Sequence, residues 1–106
     1  MCNNKYNWHE SKNLANIKKH GVSFQEAQTV FDDPNAIIEE DDEHSYSEQR
    51  FAIIGKSDKS ISLNSELLYV CYCERENNEV IRIISARKAD KFEIDLYYGG
   101  IYETIQ

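Results

Sequence analysis

The sequence predicts an α+β fold in which helices cover one face of a sheet. Apolar residues recur at three- and four-residue intervals near both ends of the chain, as in amphipathic helices, and the runs between them are rich in β-branched and aromatic residues. The predicted order is therefore strand, two helices, four strands and helix. With no repeat, no low-complexity linker and a single proline, we expect one domain over residues 1–106.

The N-terminal part of the chain is expected to form a short strand and a helix. Tyr6 and Trp8 alternate with polar neighbours, as in a strand, and a helix follows from His9 to His20. Leu14 and Ile17 would face inward from this helix. The glycine that follows can adopt the left-handed conformation that ends a helix.

A capping-box pattern opens the second N-terminal helix. Ser23 is a good N-cap, and Glu26 stands three residues later. The segment 32–34 closes this helix. Its apolar residues at helical spacing are Phe24, Ala27, Val30 and Phe31.

Four β-type runs follow and predict a meander, so the sheet should have four to five strands and be mainly antiparallel. The runs are Ala36 to Glu40, Arg50 to Lys56, Leu67 to Arg75 and Val80 to Ser85. Asn77 and Asn78 would form a tight turn between the last two.

The last helix is predicted from Ala86 to Tyr98, with Ser85 as its N-cap. Its apolar residues repeat at three- and four-residue intervals, so this face should pack on the sheet. These residues are Ala89, Phe92 and Leu96. The tail 99–106 receives no assignment.

The formal net charge of −7 at first argues against a nucleic-acid partner, because affinity for phosphates depends on a basic surface. The excess lies in one segment, since residues 32–48 carry eight acidic residues and no Lys or Arg. The charge pattern therefore permits a basic face elsewhere on the molecule.

Nothing in the sequence indicates export or a membrane span. No apolar run approaches the roughly 20 residues of a spanning helix, and the N-terminus lacks the apolar stretch of a signal peptide. We therefore expect a cytoplasmic protein with no membrane partner. Cys2, Cys71 and Cys73 lack CxxC spacing, which favours buried free thiols over a disulfide or a metal site.

Arg82 interrupts an apolar row in the last predicted strand. If the two asparagines alone make the preceding turn, Arg82 lies opposite Cys73, and Arg75 projects from the same face. A longer or bulged turn would move Arg82 to the other face. Each arginine could bind a ligand or pair with a carboxylate such as Glu74 or Glu48.

Two further cationic clusters are candidates for anion binding. Arg87 and Lys88 stand in the first turn of the predicted last helix, where cations oppose the helix dipole and a phosphate would be favoured. A solvated first turn balanced by nearby acids is the alternative. Lys19 and His20 end the first helix, where capping also explains them. His20 is the histidine best placed for proton transfer, whereas His9 is assigned to the helix start.

Four stretches of the sequence match, in order and spacing, the motifs of a known family. They are NIKKHGVSF at 16–24, VFDDP at 30–34, HSYSEQRF at 44–51 and RIISAR at 82–87, with Trp8, Glu74, Arg75, Glu93 and Tyr97 between or around them. Together, over about Trp8 to Tyr98, they resemble the BrnT family of type II toxin ribonucleases, a branch of the RelE-like fold.

The resemblance implies a RelE-like domain, RNA cleavage that arrests translation, and a cognate antitoxin with a ribbon-helix-helix domain. Operator DNA would be contacted only through that antitoxin. The family pattern points to Lys19, His20, Arg50, Arg75, Arg82, Arg87 and Tyr97.

Metal-free RNA cleavage needs a proton taken from the ribose 2′-hydroxyl, a proton given to the leaving 5′-oxygen, and stabilisation of charge on phosphorus. Clustered Arg and Lys with one titratable side chain can supply these, so no metal or cofactor is expected. We predict catalytic roles for His20, Arg50, Arg82 and Arg87. We predict RNA-binding roles for Lys19, Arg75, Lys88 and Tyr97, although packing also explains a tyrosine in an amphipathic helix.

Two departures from the family pattern motivate other hypotheses. The chain is acidic, and residues 57–66 are expected to form an enlarged hairpin loop. The second hypothesis is an inactive binding module that retains the fold and serves only as the partner of a DNA-binding repressor, with residues 32–48 meeting a basic surface. The third is a divalent-metal site at 39–48, which lacks the regular spacing of a Ca²⁺ loop.

Overall fold

The structure is a computed structural model that describes residues 5–41, 48–58 and 66–105. These residues form an α+β fold with three α-helices and a five-stranded mixed sheet of strand order β1-β5-β4-β3-β2. The elements are β1 (Lys5–Asn7), α1 (Glu10–His20), α2 (Phe24–Gln28), a 3-10 turn (Thr29–Asp32), β2 (Ile37–Glu40), β3 (Arg50–Lys56), β4 (Leu67–Arg75), β5 (Val80–Lys88) and α3 (Lys91–Ile105).

The sheet is mixed, whereas the sequence predicted a mainly antiparallel one. Strands β2 to β5 form the expected antiparallel meander, but β1 lies parallel to β5, with Asn7 beside Arg82. A strand of three residues carries too little side-chain pattern to fix its partner or its direction.

The core lies between one face of the sheet and the segment that runs from α1 through the 3-10 turn. Ser23 caps α2 as predicted, because its Oγ accepts a hydrogen bond from the N–H of Glu26 at 3.0 Å. The buried cluster comprises Val22, Phe24, Ala27, Val30, Ile53, Leu68, Val70, Tyr72, Ile81, Ile83 and Ala86. The opposite face of the sheet carries the polar residues described below.

The inward face of α1 is polar, and the prediction that Leu14 and Ile17 point inward was wrong. Leu14 is 59% exposed and Ile17 is 39% exposed, while Asn13 and Asn16 are buried. Asn16 Nδ2 donates to the carbonyl oxygens of Val22 and Ala86, each at 2.8 Å, and Asn16 Oδ1 accepts from the Ala86 N–H at 3.2 Å. The helix therefore meets backbone groups that require hydrogen bonds, and apolar side chains could not satisfy them.

Asn16 also completes the edge of β5. The β1 strand pairs with β5 only as far as Arg82, and the amide of Asn16 then bonds both the N–H and the carbonyl of Ala86. A primary amide offers the same donor and acceptor as a neighbouring strand. This contact fixes α1 against β5.

The last helix begins later than predicted. Residues 85–88 belong to β5, so Ser85 is not a helix cap, and the true cap is a pair of reciprocal hydrogen bonds between Asp90 and Glu93, each 2.9 Å long. Phe92 is 71% exposed and Tyr97 is buried, so the inward face is also not the predicted one. Strand β5 continues through residues 86–88, where the sequence predicted the start of a helix. The prediction failed here because a short apolar run fits the residue spacing of a strand as well as that of a helix.

An irregularity in β5 sets which side chains share a face. Cys71 lies opposite Ser85 but Tyr72 lies opposite Ile83, so Ile84 is an extra residue between the two pairs. In an unbroken strand, residues separated by an odd number point to opposite faces. The bulge reverses this alternation, and consequently Arg82 and Arg87 emerge on the same face.

We predict that Asn16→Ala destabilises the protein by on the order of 3 kcal/mol, because it leaves three buried backbone groups without their partner. The measurement is the urea-unfolding midpoint by circular dichroism. Lys18→Ala, at an exposed position on the same helix, is the control. Equal midpoints for the two variants would contradict the role given to Asn16.

Candidate functional site

A row of polar side chains crosses four strands on the face of the sheet opposite the core. Arg50 pairs with Cys73, Cys73 pairs with Arg82, and Arg82 pairs with Asn7. Directly opposite residues share a face of a sheet. The register predicted for Arg82 and Cys73 is thus confirmed, and Arg75 lies on the same face, two residues beyond Cys73.

Two adjoining hollows lie along this row, and together we name them the sheet groove. The smaller hollow, of about 80 Å³, is lined by His9, Lys12, Glu48, Arg50, Arg75, Arg82, Ile83 and Ile84. The larger, of about 350 Å³, is lined by Asp41, Arg50, Tyr69, Cys71, Ile84, Ser85 and Arg87. Arg50 and Ile84 line both hollows, so the groove is continuous.

The sheet groove is cationic although the chain is acidic. Four arginines and Lys12 line it, against the two carboxylates of Glu48 and Asp41. Such a concentration of positive charge in a concave surface attracts anions. The excess of acidic residues over 32–48 therefore does not prevent a local basic face.

The hydrogen-bond partners of Arg82 are not carboxylates. Its Nε donates to Asn7 Oδ1, and its Nη1 lies 3.1 Å from His9 Nε2. The first contact follows from the pairing of β1 with β5, and the second from the position of His9 two residues after Asn7. Because neither partner is a carboxylate, these contacts orient the guanidinium without neutralising it.

Arg75 belongs to a hydrogen-bonded cluster with Glu48 and Cys73. Glu48 Oε2 accepts from Arg75 Nη2 at 2.9 Å and from Cys73 Sγ at 3.2 Å. The hydrogen bond from the thiol has the largest effect and lowers the pKa of Glu48; burial opposes it, and the hydrogen bond and charge of Arg75 lower this pKa further. Burial in turn raises the pKa of Cys73. The carboxylate is therefore the charged member of the cluster beside Arg75.

Arg87 is locked at the far end of the groove. Its two terminal nitrogens each donate to one oxygen of the buried Glu93 at 2.8 Å, and its guanidinium lies 4.2 Å from the ring centroid of Tyr69. This bidentate pairing is the main reason that the pKa of Arg87 is raised. The same carboxylate caps α3, so the helix start is tied to β5.

Residues 8–93 of the chain match the model of a family described as the ribonuclease toxin BrnT of type II toxin-antitoxin systems. The chain belongs to the BrnT family. A type II toxin family implies a cognate protein antitoxin, and the resemblance found from the sequence motifs is thereby confirmed. No curated protein matches this chain closely enough to count as a relative.

Four predicted residues of this BrnT-family chain meet in the sheet groove, namely Arg50, Arg75, Arg82 and Arg87. Arg87 reaches it from a strand, so the predicted phosphate site at a helix N-terminus does not form. The other four do not line either hollow. Lys19 and His20 stand at the C-terminal end of α1, and Lys88 is exposed with its Nζ 3.5 Å from Glu66 Oε2.

Tyr97 is the fourth residue that the structure keeps away from the groove. It is 4% exposed, and its hydroxyl donates to Asp33 Oδ2 at 2.7 Å. Burial, followed by this hydrogen bond, raises the pKa of Tyr97. Its contact ties α3 to the end of the 3-10 turn, which is a packing role.

Three residues of the groove were missed by sequence analysis. His9 is the N-cap of α1, as its assignment to the helix start predicted, yet it also contacts Arg82. Glu48 was named only as a salt-bridge partner, and Tyr69 was not considered. Tyr69 and Cys71 alternate with apolar core residues along β4, and this alternation could have indicated a functional face opposite the core.

A third hollow is predominantly acidic, so its charge would repel a phosphate. It has a volume of about 290 Å³ and is lined by Thr29, Asp32, Asp33, Lys56 and Asp58.

In the part of the chain that the structure describes, no three His, Cys, Asp or Glu side chains are grouped as metal ligands. Residues 42–47, which include His44 and most of the hypothetical metal site at 39–48, lie outside the described residues, as does most of the 57–66 segment. Among the described helices none is long and apolar enough to cross a membrane.

We predict that Asp33 contributes stability at neutral pH that disappears in acid. Burial alone would raise its pKa, but hydrogen bonds from Tyr97 and from the backbone N–H groups of Lys56 and Asn35, with the Lys56 charge, lower it below the usual value near 3.8. A carboxyl with a lowered pKa in the folded state stabilises the protein above its unfolded pKa, and this stabilisation is lost as pH falls through the folded pKa.

The measurement is the urea midpoint of the wild type and of Asp33→Asn from neutral pH down to pH ~2.5, below the usual Asp pKa. The wild type should be more stable at neutral pH, and the difference should shrink below the usual Asp pKa. A difference that does not change with pH would show that the charge of Asp33 has no such role.

Proposed function

We propose that this BrnT-family toxin is an endoribonuclease that binds the RNA backbone in the sheet groove, cleaves it without a metal and so arrests translation. The observation that supports this most directly is the convergence of Arg50, Arg75, Arg82 and Arg87 on one concave surface. Side chains from three strands meet there, as the stabilisation of a phosphodiester requires.

The smaller hollow suits the scissile phosphate. Its volume of about 80 Å³ is far below the roughly 300 Å³ of a site for a whole small molecule, so it can accept one phosphate group and leave the sugar and base outside. Arg50 and Arg82 would donate hydrogen bonds to the non-bridging oxygens, where charge develops in the transition state.

The larger hollow would then hold the nucleotide beside that phosphate. Its walls combine the Tyr69 ring with the Arg87 guanidinium, and an aromatic ring next to a cation is a common surface for RNA bases. Because Glu93 orients Arg87, this end of the groove is rigid.

The remaining sequence predictions stay predictions. Lys19, Lys88 and Tyr97 were expected to bind RNA and His20 to transfer protons, but these residues do not line the groove. Lys19 is exposed on α1 and could contact RNA that extends beyond the groove. We also propose that the fold is RelE-like, because of the order in which its helices and strands follow one another along the chain.

The partner implied by the type II family is a protein antitoxin. We propose that it carries a ribbon-helix-helix domain, so that the toxin meets operator DNA only through it. Covering the sheet groove would suppress cleavage, since the arginines would then be unavailable to RNA. Localisation in the cytoplasm, where RNA and antitoxin are made, belongs to the same proposal.

A second function has support from two ion pairs. Glu48 and Glu93 each bind an arginine of the groove, which lowers the charge available to RNA. An inactive module that serves only as the partner of a DNA-binding repressor would tolerate such pairing. The hydrogen bonds of Arg82 to Asn7 and His9 favour the nuclease, because neither partner is a carboxylate that would cancel its charge.

We predict that the purified protein cleaves RNA in the presence of EDTA and that Arg82→Ala lowers the rate by on the order of 100-fold or more, since one group that stabilises the transition state is removed. Lys91→Ala, an exposed cation outside the groove, is the matched control and should cleave like the wild type. Gel analysis of end-labelled RNA is the measurement. Cleavage that requires an added divalent ion, or that survives Arg82→Ala, would contradict the proposed site.

Expression of the gene alone is predicted to stop bacterial growth, and co-expression of the cognate antitoxin should restore it. Growth curves after induction are the measurement, with Arg82→Ala as the inactive control at equal protein level. Unimpaired growth with the wild-type gene would favour the inactive binding module.

A further inference from the structure

We propose that His9 is the residue that removes the proton from the ribose 2′-hydroxyl at the sheet groove, a role that sequence analysis gave to His20. This inference rests on the proposed ribonuclease function. It is carried by the position of His9 against Arg82 in the smaller hollow.

Two successive features of the fold place His9 beside the groove. The parallel pairing of β1 with β5 brings Asn7 beside Arg82, and the chain then turns into α1 with His9 in extended conformation at the N-cap (φ −83°, ψ 127°). His9 is exposed, so a substrate can reach its ring. His20 lies at the other end of α1, about 16 Å away at 1.5 Å per residue.

The contact with Arg82 orients the ring of His9. The Arg82 Nη1 and the His9 Nε2 are 3.1 Å apart, and a guanidinium can only donate. In this contact the lone pair of His9 Nε2 is therefore the acceptor. When a phosphate takes the Arg82 hydrogen bond, this lone pair is released next to the bound phosphate, which is where a general base is needed.

The step balances with water as the only other reactant. Nε2 of His9 takes the proton of the 2′-hydroxyl, the 2′-oxygen forms a bond to phosphorus, and the bond from phosphorus to the 5′-oxygen breaks with its electron pair on that oxygen. The 5′-oxygen takes a proton from water, and His9 gives its proton to the resulting hydroxide. The products are a 2′,3′-cyclic phosphate and a 5′-hydroxyl.

Charged groups from every neighbouring element face His9, and they enter any pH profile. Cations predominate among them, while Glu10 is turned to hydrogen bonds with Trp8 Nε1 and Asn13 Nδ2. The groups are Glu10 and Lys12 on α1, Glu48 before β3, Arg50 on β3, Arg75 on β4 and Arg82 on β5. None except Glu10 and Glu48 is a base, and Glu48 is hydrogen-bonded to Arg75 and Cys73.

The test compares His9→Gln and His9→Asn with the wild type on a short RNA. Asparagine is a favoured N-cap residue, so this second variant preserves the start of α1 if glutamine disturbs it. Ser11→Gln, at an exposed site on the same helix, is the matched control. Three quantities are measured: the single-turnover cleavage rate against pH, the affinity for the same RNA with 2′-deoxy sugars, and the 3′ end of the product by mass spectrometry.

We expect both His9 variants to cleave at least about 100-fold more slowly, as for loss of a general base, with unchanged affinity for the 2′-deoxy RNA. The wild-type rate should rise with pH, as for a reaction that needs a general base, and this rise should disappear in the variants. The wild-type product should end in a 2′,3′-cyclic phosphate.

Wild-type rates and pH profile in both His9 variants would overturn this inference and leave the proposed ribonuclease standing. The same holds if His20→Gln, rather than the His9 variants, abolishes the pH dependence. A wild-type protein that does not cleave RNA at all would overturn both proposals.

Discussion

The bulge in β5 is the constraint on which the candidate site depends. Without the extra residue Ile84 in the ladder, Arg82 and Arg87 would point to opposite faces, because five residues separate them. The same shift returns Ala86 to the core face after Ile83. One local irregularity therefore serves both the apolar core and the cationic groove, and bulges are common next to functional sites for this reason.

Hydrogen bonds from the helices α1 and α3 to strand β5 stabilise the shape of the groove. Asn16 attaches α1 to β5 at Ala86, immediately before Arg87. Glu93 attaches α3 to Arg87 and at the same time caps its own helix. Because each of these side chains satisfies buried hydrogen-bonding groups, the arrangement is more specific than apolar packing alone. The arginines are consequently positioned before any substrate binds.

Charge on this protein is divided between two regions. The excess of acidic residues lies at 32–48, of which Asp41 and Glu48 reach the groove, while the arginines from β3, β4 and β5 converge on the opposite side of the sheet from the core. Arg75 and Arg87 are paired with carboxylates, and Arg82 is held by Asn7 and His9. Net charge alone is thus a poor guide to binding, since a local field decides which ligand approaches. The family to which the chain belongs is consistent with an anionic ligand at this place.

The sequence by itself determined the element order, the antiparallel meander, the register of Arg82 on Cys73 and the family, because these depend on local pattern and on motifs that stand in order along the chain. The tertiary structure alone decided the parallel partner of β1, the strand conformation of Arg87 and the inward faces of α1 and α3. It also brought His9 to Arg82. Each of these depends on contacts between residues that are far apart in the chain, such as Asn16 with Ala86, and periodicity within one segment cannot report the hydrogen-bonding needs of another.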